Sequence, residues 1–271
     1  MSLEILKKYK IRAKKSLWQN FLVNDDIVEE ISSIVDIEWK DIIEVWPWYW
    51  ALTEKLVEKK PKSLNLVELD NDMIEILNSR IKNNDFTIEN IDFNINNIDV
   101  LKYEPESIGY SIIANIPYYI TSPILRHFLY EVGNKPKDMV ILMQKDVWDK
   151  ILWKWKWKSW VLSLFIEKKC NVSEALFVAK ENFVPAPKIE SSVLLFELHD
   201  VYKDINDELF LDLIKKAFRE PRKKLIKNLV NSWYNKELII NIFNELSIDE
   251  WVRWEDLDIA TWCQLSTIIN K

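Results

Sequence analysis

Glycine is nearly missing from this chain. Only Gly109 and Gly133 occur among 271 residues, where ordinary usage would give roughly 7%, or about 19. Tight turns and close approaches of backbone to a ligand draw on glycine, because it alone takes positive φ without a steric penalty. Cysteine is as scarce. Cys170 and Cys263 are far apart and fit no metal-ligand spacing, which sets aside a disulfide scaffold or zinc site and fits a reduced, cytoplasmic setting. The two histidines, His127 and His199, are isolated and read as structural. No run of about 18 or more uncharged apolar residues is present, so no membrane span is expected. The Lys-rich N-terminus has no apolar stretch behind it, so no secretory leader is expected.

What is present in excess is tryptophan, 14 residues of it. Three of these alternate through Glu44-Val45-Trp46-Pro47-Trp48-Tyr49-Trp50. That segment follows an apolar strand (42–45) and precedes a helix (51–59), the place where a Gly-rich nucleotide-cradling turn belongs. Two explanations stand. Some bacterial lineages read UGA as glycine and others read it as tryptophan, so most of these positions are glycine in the living source. Alternatively the protein is truly Trp-rich and stacks RNA bases on its indoles.

The net charge of −6 argues against a wholly basic nucleic-acid binder, but a local basic face is what phosphate contact requires. Three clusters qualify: Lys7, Lys8, Lys10, Arg12, Lys14 and Lys15; Lys145, Lys150, Lys154, Lys156 and Lys158; and Lys215, Lys216, Arg219, Arg222, Lys223, Lys224 and Lys227. Each can also be a solvated helix face. The third is the densest and points to an RNA backbone.

Periodicity organises the rest. Residues 1–23 read as a basic, irregular leader. Strands are expected at 42–45, 63–69, 88–98, 111–116 and 139–143, with helices at 25–35, 51–59, 72–81 and 123–132 between them. Closing strands follow at 175–178 and 192–198. This alternation means an α/β fold with a doubly wound, mainly parallel sheet. After about Asp200 only helical spacing remains (209–218, 225–230, 237–246 and 259–269). The expected division is a catalytic domain over 1–200 and a small helical domain over 201–271.

In open α/β sheets ligands sit at the carboxyl ends of the strands. Glu68 ends the second strand, about 20 positions after the first turn, where an acid binds ribose hydroxyls. Asp99 follows the third strand and can accept from an adenine amino group. Asn115 ends the fourth. Any one of these is commonly a cap or a surface group; three at successive strand ends make a site.

Asn115-Ile116-Pro117-Tyr118 resembles the signature of methyltransferases that modify exocyclic amines, in the Asn-Leu/Ile-Pro-Tyr form of the rRNA adenine N6-dimethyltransferases. The likeness runs along almost the whole chain. Lys15 to Leu22 is similar to the family's N-terminal cofactor motif, with Trp18 where the family has Gly. Glu44 to Trp50 is similar to Glu-Val-Gly-Pro-Gly-x-Gly, with Trp at each Gly. Ser159 to Ser163, Phe183 to Lys188, and Ala217 to Leu229 resemble three further segments; at Trp262 the family often has an aromatic. The resemblance implies a Rossmann-like, S-adenosylmethionine-dependent methyltransferase sheet with a small helical C-terminal domain. It implies cofactor contacts from Asn20, Leu22, the backbone at Trp46, Glu68, Asp99 and Asn115. It places Asn115, Pro117, Tyr118 and Phe183 on the substrate side, and Arg219, Arg222, Lys223 and Lys224 on RNA. The implied substrate is a pair of adjacent adenosines in a hairpin near the 3′ end of small-subunit rRNA, within an assembling 30S subunit. A monomer with no metal is expected. Tyr119 to Pro123 and Arg222 to Lys224 resemble the small-subunit (KsgA) type more than the related Erm type, which modifies large-subunit rRNA. A non-catalytic RNA-binding assembly factor is the reading that remains if the indoles at 46, 48 and 50 are real.

Overall fold

Four short, largely apolar segments and one that alternates polar and apolar residues, each long enough to cross a sheet once, are separated by helices or a helical turn that return the chain to the same edge. In the computed structural model, which describes residues 2–11, 20–48, 50–83, 85–117, 120–151, 161–220 and 222–269, these become Asp41–Val45 (β2), Ser63–Val67 (β3), Asp92–Asn96 (β4), Ser111–Asn115 (β5) and Asp138–Gln144 (β6). Phe21–Leu22 (β1), Cys170–Val178 (β7), Phe183–Val184 (β8) and Ser191–Leu198 (β9) complete the strands. The seven-stranded sheet has the order β4-β3-β2-β5-β6-β9-β7. Strands β4 to β6 run parallel, and β9 closes antiparallel on β6. The mainly parallel α/β sheet expected from the alternation is therefore present. Interior strands of such sheets are covered on both faces, and β6 is buried from Asp138 through Met143.

The connecting helices are Asp25–Ser32 (α2), Ala51–Glu58 (α3), Asn71–Lys82 (α4) and Thr121–Arg126 (α5). Asn24 caps α2 through its side-chain oxygen, which accepts from the N–H groups of Asp26 and Ile27, satisfying donors that have no intrahelical partner. Asp70 does the same for α4 at Asp72. The first residues differ from the expectation of an irregular leader: Ser2–Lys8 form a helix (α1), and Phe21–Leu22 pair with Val184 and Phe183. The cause is tertiary. Ile5 and Leu6 are buried, and Lys8 and Tyr9 both donate to the Asp85 carboxylate, at 2.8 and 2.6 Å.

The chain forms two compact units, residues 1–148 with 172–198, and residues 149–171 with 199–271. The second contains Val161–Glu167 (α7), Asp207–Ala217 (α8), Leu225–Asn231 (α9), Lys236–Glu245 (α10) and Ile259–Ile269 (α11), while Lys145–Ile151 (α6) spans the boundary. Residues 149–171 belong with the helices although they precede residue 200. Leu164 packs in one cluster with Phe210, Leu213 and Trp262. The buried Lys168 ammonium is paired with Asp207 and donates to the Ile205 carbonyl at 2.9 Å. Among the described residues no helix is long and apolar enough to cross a membrane.

Candidate functional site

The sheet register aligns the carboxyl ends of its strands. Val45 pairs with Val67 on one side and Ala114 on the other, and Val67 pairs with Asn96. Neighbouring strands lie about 4.8 Å apart, so the residues just past β2, β3 and β4 and the last of β5 form one row. The ladder continues one step beyond the strands: Trp46 N–H donates to the Val67 carbonyl at 3.1 Å and Glu68 N–H to the Asn96 carbonyl at 3.0 Å. This fixes positions 46 and 68.

Glu68 is buried, and its carboxylate accepts from Asp70 N–H at 2.7 Å. Burial pushes its pKa up to about 7, assisted by the Asp70 charge and opposed by main-chain N–H groups of Asp70, Leu69 and Trp48. Asp99 is half-buried and caps the short turn Val100–Lys102 by accepting from Leu101 N–H at 3.0 Å. Asn115 is half-buried at the tip of β5, followed by the buried Ile116 and Pro117. The Pro117 carbonyl accepts from Ile120 N–H at 3.2 Å. Tyr118 lies outside the described residues.

A cavity opens at this edge between Leu22, Glu44, Trp46, Trp48, Asn115 and Leu142. Leu22 is carried there by β1, which is held by Phe183 and Val184 of β8. Phe183 itself is buried in the core, and Asn20 is half-buried. Glu44 was not among the residues expected at the site. It sits within β2 and is 1% exposed. One carboxyl oxygen accepts from Thr53 Oγ1 at 2.6 Å, and the other has no partner. Burial pushes Glu44 up to about 8, Thr53 opposes this, and the Glu68 charge adds to it. The clue in the sequence was an acid set among the apolar residues Ile42, Ile43 and Val45.

In the helical unit, Arg219 and Arg222 are exposed, Lys223 pairs with Glu220 at 2.6 Å, and Lys224 lies over the Trp251 ring. Among the described residues no group of His, Cys, Asp or Glu is arranged to hold a metal ion.

The strand-end carboxylates and Asn115 suit a nucleoside cofactor such as S-adenosylmethionine; the turn between β2 and α3 does not. Trp48 and Trp50 are 4% and 0% exposed, and neither indole N–H has a partner. A buried N–H left unpaired costs about 1–3 kcal/mol. Phe21 packs edge-on against Trp48 at 5.4 Å between ring centres. With these rings in place, the enclosed part of the cavity holds little more than a water molecule.

An open, mainly parallel sheet with acids and an Asn-Ile-Pro segment on its carboxyl edge defines the Rossmann-like methyltransferase class. Comparison with known proteins gives the family. The ribosomal RNA adenine dimethylase model matches residues 10–271. The ribosomal RNA small subunit methyltransferase A of Mycoplasma mobile is 35% identical over 92% of this chain and 95% of its own length. That of Clostridium botulinum is 32% identical over 98% and 97%. A dimethyladenosine transferase from Plasmodium falciparum superposes with a TM-score of 0.75 at 20% identity, covering 90% of this chain and 95% of that one. The 23S rRNA methyltransferase ErmE superposes at 0.71 with 16% identity, covering 93% and 100%. These two structures share the fold. The chain belongs to the ribosomal RNA adenine dimethylase family and is an S-adenosylmethionine-dependent rRNA adenine dimethyltransferase.

Proposed function

We propose that the protein dimethylates N6 of two adjacent adenosines in a hairpin near the 3′ end of small-subunit rRNA, acting as a monomer on assembling 30S subunits in the cytoplasm. The observation that carries this reading is the position of Asn115-Ile116-Pro117, at the tip of β5 beside the cavity and on the edge that also bears Glu68. S-adenosylmethionine is the methyl donor of the reaction.

The chemical problem is the adenine amine. Its lone pair is delocalised into the ring, so it is a poor nucleophile. In this reading the Asn115 side-chain oxygen and the Ile116 carbonyl accept its two hydrogens and draw the nitrogen toward sp³ geometry. Pro117 supports that carbonyl and has no N–H to compete for it. Tyr118 stacks on an adenine drawn out of its loop, while Phe183, buried in the core, acts by holding the strand that carries Leu22. Positioning does most of the work, and no strong general base is needed. Asn20, Leu22, the backbone at position 46, Glu68 and Asp99 serve the cofactor. Arg219, Arg222, Lys223 and Lys224 serve the RNA backbone.

The small-subunit reading is favoured over the Erm type because the two relatives named above, at 32–35% identity, carry the name of a small-subunit methyltransferase, while ErmE shares only the fold. The test is methyl transfer from labelled cofactor to unmethylated small-subunit rRNA, using chains with Trp46, Trp48 and Trp50 replaced by glycine. Asn115→Ala is expected to abolish transfer while leaving cofactor binding mostly intact. Unchanged turnover would refute the role given to Asn115, and transfer to large-subunit rRNA alone would move the protein to the Erm type.

A further inference from the structure

A positive φ is adopted by only a few per cent of residues other than glycine, and a bulky side chain there is a genuine outlier. Nine such residues occur in the described chain: Lys10, Trp39, Trp46, Trp48, Trp50, Lys60, Asn90, Trp233 and Ser247. Five of the nine are tryptophan. Nine of the 14 tryptophans are described (Trp18, Trp153, Trp155, Trp157 and Trp160 are not), so five of nine tryptophans take the conformation that an L side chain takes least readily.

Each of the five sits where the backbone itself calls for glycine. Trp233 follows α9 at φ 76. Its N–H donates to the Val230 carbonyl at 3.1 Å, and Tyr234 N–H donates to Leu229 at 3.2 Å. This pair of bonds is the Schellman ending, whose left-handed residue is usually glycine. Trp39, at φ 56, is the third residue of a turn closed by Lys40 N–H on the Ile37 carbonyl at 3.1 Å. A type II turn has its positive φ at that place and reserves it for glycine. Trp46, Trp48 and Trp50 lie in the β2–α3 turn at φ 57, 52 and 77. Trp50 is also the N-cap of α3 and makes no side-chain capping bond. The indoles do nothing in common: Trp39 and Trp233 are 69% and 96% exposed, while Trp48 and Trp50 are buried. What the five share is a property of the main chain.

We infer that glycine occupies positions 39, 46, 48, 50 and 233 of the natural protein, inserted at a codon that other genetic codes read as tryptophan. The glycines at 46, 48 and 50 restore a Gly-Pro-Gly-x-Gly turn whose backbone can approach a ligand at the N-terminus of α3. Those at 46 and 48 also remove two rings that line the cavity beside Asn115. The assignment rests on backbone geometry and stands whether or not the proposed substrate is right.

Two measurements test it. The first is the mass of tryptic peptides 41–55 and 228–236 from the natural source. The expected masses correspond to glycine at 46, 48, 50 and 233; tryptophan masses would overturn the inference at those positions. The second uses the chain made with tryptophan throughout. Trp233→Gly opens no cavity and is expected to raise the Tm of the whole chain by roughly 2–4 °C, from relief of the left-handed strain. Trp233→Ala, which keeps a Cβ, is expected to gain clearly less. Equal gains from Gly and Ala would mean that loss of an exposed ring, not backbone conformation, sets the effect, and would overturn the argument. Cofactor titration then separates this inference from the functional one. Trp46→Gly/Trp48→Gly/Trp50→Gly is expected to bind S-adenosylmethionine at least 100-fold more tightly than the Trp chain. Glycine masses without such binding would leave the inference standing and refute the cofactor site.

Discussion

Glu44 and Glu68 are two buried carboxyls whose ordinary charged state is disfavoured, and this gives a pH dependence with a definite sign. Both are raised above the usual glutamate value, to about 8 and about 7. The folded protein therefore holds protons that the unfolded chain has released, and the contribution of these two groups to stability is fully present below about pH 4.5 and is lost as pH rises through 7 and 8. Glu44→Gln keeps the shape and removes the titration. It is expected to flatten the stability profile between about pH 5 and 8 and to raise the Tm at pH 8, where the wild-type group is part-ionised. A profile unchanged by the substitution would show that Glu44 is ionised in the fold. At this scale the sequence was legible wherever a polar residue ends a strand, as with Glu68 and Asn115. Glu44 was missed because its side chain lies within a strand, and only the fold shows that its neighbours are Thr53 and Glu68.

Elements were legible where their signals are local. The cap at Asn24, the strand expected at 42–45 (Asp41–Val45 in the structure) and the helix 259–269 follow from side chains near in sequence. Asn24 also donates to the Asn182 side chain at 2.8 Å, so one residue both starts α2 and ties it to the loop before β8. Asn24→Ala is expected to cost about 1–2 kcal/mol in chemical denaturation; Asn24→Ser, which keeps an acceptor for the cap, is expected to recover part of that. A loss below about 0.5 kcal/mol for the alanine variant would mean that water replaces the cap. Helix α1 was not legible, because its stability comes from Ile5 and Leu6 meeting a core built much later in the chain. The pairing of β1 with β8 was invisible for the same reason: two residues carry no periodicity.

For the molecule as a whole, the acidic balance conceals a basic segment on the helical unit. Lys223 is occupied by Glu220, and Lys224 by Trp251, whereas Arg219 and Arg222 are exposed. Neutralising Arg222, Lys223 and Lys224 is expected to weaken RNA binding and to reduce the slope of log K against log salt by up to about 3, and Arg222 alone by about 1. An unchanged slope would remove this segment from the RNA interface. Residues 149–171 group with the helices through contacts distant in sequence, the buried Lys168–Asp207 pair and the packing of Leu164, which no local pattern announces.

The bridge between Phe21–Leu22 and Phe183–Val184 also sets a timetable. A ribosome adding residues in order must reach Val184 before the strand that carries Leu22 has anything to pair with. Until then one wall of the cavity is absent, although β2 to β6 have already been made. During its own synthesis, this enzyme for ribosomal RNA lacks that wall of its pocket until Phe183 and Val184 have left the ribosome that makes it.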